Sequence, residues 1–237
     1  MRIVVKVGTS TLAYGTGRLN IRHTEQLVKV LSDLKNEGHE VILVSSGAIG
    51  MGVGKLQLGA RPSDMATKQA AAAVGQCELM YTYDKLFTEY NHTVAQVLLT
   101  AADIEDKMRR HNVETTLQRL LQLGAIPVIN ENDTVSTAEI AEVSTLGDND
   151  TLASIVAVSV EADLLVLDEA GSAWELDMVD KDLLRRAVLQ RPAGQECVLT
   201  AHAAPQWMLD AADYVTEMKC ISHPYQEGIA ARKGVEY

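Results

Sequence analysis

Apolar residues along this chain come in two rhythms. Short apolar runs, rich in Val, Ile and Leu, lie at residues 3–7, 41–44, 93–99, 126–129, 162–167 and 196–200. Between them lie longer stretches in which apolar positions recur every three or four residues. The short runs predict strands buried on both faces, and the periodic stretches predict helices. Residues 20–37 form one such helix, with Leu27, Val30, Leu31 and Leu34 on its apolar face and Gly38 ending it. The others are an Ala-rich helix over 65–90, a helix over 104–123 stopped by Gly124, and a run carrying Leu152, Ile155, Val156 and Val158. Helices over 180–189 and 205–212 complete the pattern. Alternating strand and helix predicts an α/β fold, a three-layer α/β/α sandwich on a mostly parallel sheet. The methionines and tyrosines of 65–90 read as core filler. Lys107-Met108-Arg109-Arg110-His111 reads as a solvated face.

Several strands empty into polar residues, and in open α/β sheets ligands sit at strand ends. The 126–129 strand stops at Asn130, Glu131, Asn132, Asp133 and Thr134. Further on, Gly147-Asp148-Asn149-Asp150 opens the helical run at Leu152, with Asp and Asn placed to cap it. Two capped turns at a sheet edge are the plain alternative, but turn chemistry alone does not require two clusters flanking a Thr/Ser-rich excursion. The first strand ends in Lys6-Val7-Gly8-Thr9-Ser10, where glycine lets the backbone approach an anion and Lys6 with the hydroxyls can hold it. A surface lysine before a turn is the commonplace alternative. The second strand runs into Ser45-Ser46-Gly47-Ala48-Ile49-Gly50, the start of a glycine-rich loop over 46–56. Although this loop contains Gly54-Lys55, it is not a P-loop. That motif would need glycine in place of Ile49 and a hydroxyl in place of Leu56.

Composition narrows the class. With 237 residues and 47% hydrophobic but only 4% aromatic content, the chain is long enough for one large α/β domain or two small ones, cored mainly by aliphatic side chains. A net charge of −11 argues against nucleic-acid or anionic-membrane partners, while leaving local basic groups for a phosphate. Cys77, Cys197 and Cys220 are too scattered for a zinc site and suit a reducing cytoplasm. The six histidines lack metal-ligand spacing. No apolar run approaches membrane-spanning length, and the chain opens directly on a strand without a signal peptide, so a cytoplasmic location is expected. Homo-oligomer formation stays open.

Taken in order, these motifs carry a resemblance. Val5-Lys6-Val7-Gly8-Thr9-Ser10, Val44-Ser45-Ser46-Gly47-Ala48-Ile49 and Lys68-Gln69-Ala70-Ala71-Ala72-Ala73-Val74-Gly75-Gln76 are the first three. Gln96-Val97-Leu98-Leu99-Thr100, Ile129-Asn130-Glu131-Asn132-Asp133 and Gly147-Asp148-Asn149-Asp150 follow. Residues 1–161 thereby resemble the glutamate 5-kinases of the amino acid kinase family, which form γ-glutamyl phosphate from ATP and L-glutamate in proline biosynthesis. The resemblance implies that Lys6 holds the transferring phosphoryl group, with Gly8 and Ser10 beside the nucleotide. It places Ser46 and Gly47 against the substrate, Asp133 and Asn149 on glutamate, and Asn130 nearby. Asp150 would orient Lys6 and a second catalytic lysine. ATP and Mg2+ are the implied cofactors.

After the 162–167 strand the family pattern stops. The expected Thr-Asp, Gly-Leu-Tyr turn and glycine-rich loop with the second lysine are replaced by Asp168-Glu169-Ala170-Gly171, read as an acidic turn. Leu165-Val166-Leu167-Asp168-Glu169, Val198-Leu199-Thr200, Ala212-Asp213-Tyr214-Val215-Thr216-Glu217-Met218 and the ending from His223 to Tyr237 carry a second resemblance. They are similar to the carboxy-terminal part of the ATP:corrinoid adenosyltransferases, a P-loop-NTPase-like family. There Asp168 and Glu169 would sit by the nucleotide's magnesium, but that family's amino-terminal phosphate loop has no counterpart here. Arg232 and Lys233 read as a solvated face. The chain is read as a chimera or fusion forming one α/β domain, with an amino acid kinase-like segment over 1–162 and an adenosyltransferase-like segment over 163–237. The expected function is a glutamate 5-kinase-like phosphotransferase of impaired activity. The alternatives are a catalytically silent glutamate binder and, more distantly, a corrinoid adenosyltransferase. Where strands after residue 163 join the sheet is left undetermined.

Overall fold

The computed structural model describes residues 1–14, 18–135 and 149–219. Contacts divide the chain into two compact units, 1–204 and 205–237. In the second, the described part centres on one short helix, Gln206–Ala211, entered through Pro205. All else below concerns the first unit.

Six parallel strands form a single sheet: β1 (Arg2–Val7), β2 (Glu40–Ser45), β3 (Val94–Leu99), β4 (Ile126–Glu131), β5 (Leu164–Leu167) and β6 (Glu196–Leu199). Their order is β3-β4-β2-β1-β5-β6, so β1 is central and β3 and β6 are the edges. Five of the six residues in each of β1, β2 and β4 are buried, as strands covered on both faces must be. The helices are α1 (Thr9–Leu12), α2 (Ile21–Asn36), α3 (Ala48–Leu56), α4 (Met65–Thr88), α5 (Ala101–Glu105), α6 (Lys107–Gln122), α7 (Asn149–Ser159), α8 (Ala170–Glu175) and α9 (Lys181–Leu189).

Strand alternation sorts the side chains. Ile3, Val5, Val7, Val41, Leu43, Ile126 and Val128 join Val28 and Leu31 of α2 and Leu79, Tyr83 and Phe87 of α4 in one core cluster. Lys6, two residues from Val4 along the strand, points to the opposite face, where α7 packs against β1, β2, β4 and β5. On α2 the apolar face centres near Leu31, flanked by partly buried Leu27 and Leu34. Val30, one residue and roughly 100° back along the helix, is 56% exposed, so its expected place on the buried face goes to Val28. Of the methionines and tyrosines of 65–90 read as core filler, Tyr83 is fully buried, whereas Tyr81 and Met65 are exposed. The basic run 107–111 is solvated throughout, as predicted.

Three local expectations are corrected. The expected helix over 104–123 is two helices, because Asp106 adopts an extended conformation and its carboxylate caps a new helix by accepting from the Met108 and Arg109 amides. The glycine-rich loop over 46–56 is mostly helix α3. Its glycines lower helix propensity, but tertiary contact outweighs that: a Cβ on Gly52 would stand 1.8 Å from the Ala71 carbonyl oxygen, and one on Gly75 1.7 Å from that of Ala48. Bare backbone lets α3 and α4 touch. The acidic turn at 168–171 leads at once into helix α8, with Glu169 at its N-cap in the left-handed region (φ 58°).

Segments on either side of residue 163 share the sheet. β5 pairs with β1 from Ile3↔Leu164 to Lys6↔Leu167, and β6 pairs with β5 from Leu164↔Glu196 to Leu167↔Leu199. The Asp163 carboxylate accepts from the Arg2 amide at 2.5 Å, anchoring the start of β5 to the start of β1.

Candidate active site at the carboxyl ends of the strands

Register brings the predicted residues to one end of the sheet. Lys6 lies across from Val44 on β2 and from Leu167 on β5, so Ser46 on one side and Asp168 on the other are two and one residues beyond it. The connection leaving β1 runs toward β2 and that leaving β5 runs toward β6. Their divergence opens the crevice in which open α/β sheets bind ligands.

At its centre is a buried ion pair. Lys6 Nζ is 2.7 Å from Asp150 Oδ2, and both side chains are under a tenth exposed. Asp150 sits in the first turn of α7, where the helix dipole also favours an anion. Lys6 Nζ donates a second bond, 3.1 Å, to the Asp168 carbonyl. A charge so placed survives burial only because these oxygens replace its water.

Beside it lies an amide cluster. Asn149 Nδ2 donates to Ser46 Oγ at 2.7 Å and to Asn130 Oδ1 at 3.1 Å. Asn130, 1% exposed, donates through Nδ2 to Gln76 Oε1 at 2.9 Å, and its Oδ1 also accepts from the Glu131 amide. Gly47 turns the chain at φ 106°, a conformation that suits glycine, and starts α3 without any side-chain cap. Ser45 is held from behind by a 2.9 Å hydrogen bond with the Tyr83 hydroxyl, whose ionisation burial pushes well up. Asp133, two residues past β4, has its carboxyl raised to about 6, first by burial and then by Glu131, with Arg61 opposing.

On the β5 side, two carboxylates meet the loop after β1. Asp168 accepts from Thr11 Oγ1, from Thr200 Oγ1 at 3.1 Å and from the Gly8 amide at 3.5 Å. Glu169 accepts from Ser10 Oγ. His202 Nε2 stands 3.4 Å from Glu169. An all-oxygen set of carboxylates and hydroxyls suits a hard cation such as Mg2+. No group of three His, Cys, Asp or Glu able to hold a metal occurs among the described residues.

Ser46, Asn130, Asn149, Lys6 and Asp150 are thus brought together, as are Gly8, Ser10, Asp168 and Glu169. Three contributors escaped the sequence reading. Gln76 lay inside a quoted motif, but its contact with Asn130, 54 positions on, depends on tertiary packing; Thr11, in α1, and Thr200, just past β6, are ordinary hydroxyls until β5 and β6 find their places. Gly147, Asp148, Cys220, His223, Arg232 and Lys233 lie outside the described residues. Both described cysteines are free, and burial raises the Cys197 thiol to about 11. No described helix is long and apolar enough to cross a membrane.

Comparison with known proteins gives the class. Residues 1–169 match the amino acid kinase family, and this chain belongs to it. Residues 131–237 also match the ATP:corrinoid adenosyltransferase family BtuR/CobO/CobP, so the two matches overlap and the architecture is fusion-like. Among curated proteins, the glutamate 5-kinase of Listeria welshimeri is 57% identical over 166 residues, 70% of this chain and 60% of its own. That of Clostridium perfringens is 48% identical over 200 residues, 83% of this chain and 74% of its own. That of Caldanaerobacter subterraneus is 54% identical over 167 residues, 70% of this chain and 44% of its own. The chain thus spans about 60% of the length of the Listeria relatives it matches.

Proposed function

We propose that this protein is a glutamate 5-kinase-type phosphotransferase, acting on the γ-carboxylate of L-glutamate with MgATP. The observation that carries the reading is the buried Lys6–Asp150 pair beside the Ser46–Asn149–Asn130 cluster, all at one end of the sheet. A γ-carboxylate oxygen would attack the terminal phosphorus of ATP, forming the acyl phosphate as the bond to ADP breaks. Such transfers need positioning and positive charge more than covalent help. Lys6, aimed by its ion pair with Asp150, supplies that charge to the phosphoryl oxygens. Ser46, Gly47, Asn149 and Asp133 position glutamate, Asp133 taking its ammonium group, with Asn130 steadying Asn149. Gly8, Ser10 and Asp168 face the nucleotide phosphates. Asp168 and Glu169 would hold Mg2+, which neutralises phosphate charge when bound. The lack of a second lysine in the family's position predicts slow turnover.

The test is trapping of γ-glutamyl phosphate by hydroxylamine as the hydroxamate. Glutamate- and MgATP-dependent product is expected above an Asp150→Asn control, and its absence would overturn the kinase reading.

One observation favours a second reading, a glutamate binder without turnover. The carboxylates of Asp168 and Glu169 already take the hydrogen bonds of Gly8, Ser10 and Thr11, the donors a phosphate would use. Glutamate binding with no hydroxamate at any MgATP concentration would select it.

Asp133 gives the acceptor site a pH signature. Its carboxyl titrates near 6 in the fold against 3.8 ordinarily, so the fold disfavours its ionised form. Its contribution to stability therefore falls as pH rises between those two values. An ammonium bound beside it restores the ionised form. Near pH 6 about half of these groups carry a proton, so glutamate binding should release roughly 0.5 proton per site, fading toward pH ~8. Calorimetric titration in two buffers of different ionisation enthalpy measures this. Identical heats in both would remove Asp133 from the ammonium site.

A further inference from the structure

Gln76 is 6% exposed and lies on α4, directly after the glycine that meets α3. Its Oε1 is satisfied by Asn130, yet its Nε2 has no hydrogen-bond partner among the described residues. The same is true of Asn149 Oδ1 at the other end of the amide chain. A buried N–H left without an acceptor carries an uncompensated desolvation cost, so these two open positions in an otherwise bonded cluster call for an explanation. The orientation of the Gln76 amide is set by its neighbour: Asn130 must use Oδ1 for Asn149 Nδ2 and for the Glu131 amide, which leaves its Nδ2 as donor and requires an oxygen from Gln76. The free end of Gln76 is therefore N–H, a donor. Asn149 uses Nδ2 for Ser46 and Asn130, so its free end is an acceptor. One open donor and one open acceptor, separated by Asn130, match the two poles of a zwitterionic amino acid.

We infer that Gln76 is a substrate-binding residue of the acceptor site: its Nε2 donates to a carboxylate oxygen of the amino-acid substrate, while Asn149 Oδ1 accepts from a donor of the same molecule. This rests on the reading of the cluster as an amino-acid site and adds to it a residue that selects for carboxylate. It also assigns Asn130 a second task, to fix the Gln76 amide so that its donor faces the ligand.

Gln76→Glu isolates the donor, because the introduced side chain still offers Asn130 an oxygen but replaces N–H by a second acceptor. Calorimetric titration with L-glutamate at pH ~8 should show affinity for the variant lowered at least about ten-fold, since a hydrogen bond to a charged group is replaced by carboxylate facing carboxylate. Equal affinity in the two proteins would overturn the inference and leave the amino-acid site intact. No glutamate binding by the unaltered protein would overturn the site reading and the inference together. The variant places a carboxylate in a buried position, so a second measurement uses the unaltered protein. With glutamine side chains 15N-labelled, the Gln76 amide resonance should shift on adding L-glutamate and its protons should exchange more slowly. A Gln76 amide unmoved by saturating glutamate would sink the inference.

Discussion

Lys6→Met should cost the protein about 3–5 kcal/mol of stability, the usual consequence of leaving one half of a buried ion pair behind. For a chain of this size that lowers the thermal midpoint by roughly 10 °C. The arithmetic follows from burial. Lys6 and Asp150 are both below a tenth exposed, so removing the ammonium takes the counter-ion from a buried carboxylate. Asp150→Leu should do the reverse and deprive Lys6 of its counter-ion, leaving it, among the described residues, the Asp168 carbonyl at 3.1 Å. The double replacement Lys6→Met with Asp150→Leu should recover most of the loss, because apolar substitutes remove both charges and both desolvation costs. Denaturant unfolding of the three variants completes the cycle. A double variant as unstable as the sum of the singles would mean that the pair is not a coupled unit. Recovered stability in the double variant would show that the pair is not needed to hold the sheet, as the role proposed for Lys6 requires.

Gly75→Ala should be comparably damaging for a different reason. The added methyl group would lie 1.7 Å from the Ala48 carbonyl oxygen and 2.5 Å from the Gly52 amide nitrogen. Both obstacles are backbone, so no rotamer change relieves them, and α3 must move off α4. Overpacking usually costs about 1–3 kcal/mol, and a clash with fixed backbone belongs at or above the top of that range. The shift is harmful twice over, since α3 starts at Gly47 and Gln76 is the next residue on α4. Gly50→Ala is the matched comparison. Its added carbon meets only the Thr9 methyl at 3.7 Å, an ordinary contact, and alanine is the better helix former by about 1 kcal/mol. Thermal unfolding should therefore rank Gly50→Ala at or above the unaltered protein and Gly75→Ala far below. Equal midpoints would mean that the two helices do not depend on this close approach.

The strands and most helices were legible because burial on both faces demands unbroken apolar runs, and amphipathic helices repeat every three or four residues. Lys6, Ser46, Asn130, Asn149 and Asp150 were legible as site candidates because they crowd the ends of those runs. What escaped has one physical character: it depends on which elements touch. Nothing local marks 48–56 as a helix, since three of its nine residues are glycine, and only the neighbouring α4 makes that composition favourable. Gln76 looks like one polar residue on a long helix until Asn130 is found 2.9 Å away. The break at Asp106 was present in the sequence as a capping residue, but the periodicity on either side of it masked it.

The ordered motifs carried the resemblance to the amino acid kinase family; chain order and side-chain chemistry alone determined a layered α/β protein with polar and charged groups crowded at strand ends. Those features are local, set by the alternation of apolar and polar residues over a few positions. Tertiary structure decided where the segment after residue 163 goes. Its strand β5 lies against β1, so the backbone and carboxylate of Asp168 come to rest on Lys6, Gly8 and Thr11, residues more than 150 positions away in the chain. No local pattern encodes that neighbour. It follows from the register of one parallel pairing, in which each step along the strand would deliver a different residue to the same crevice.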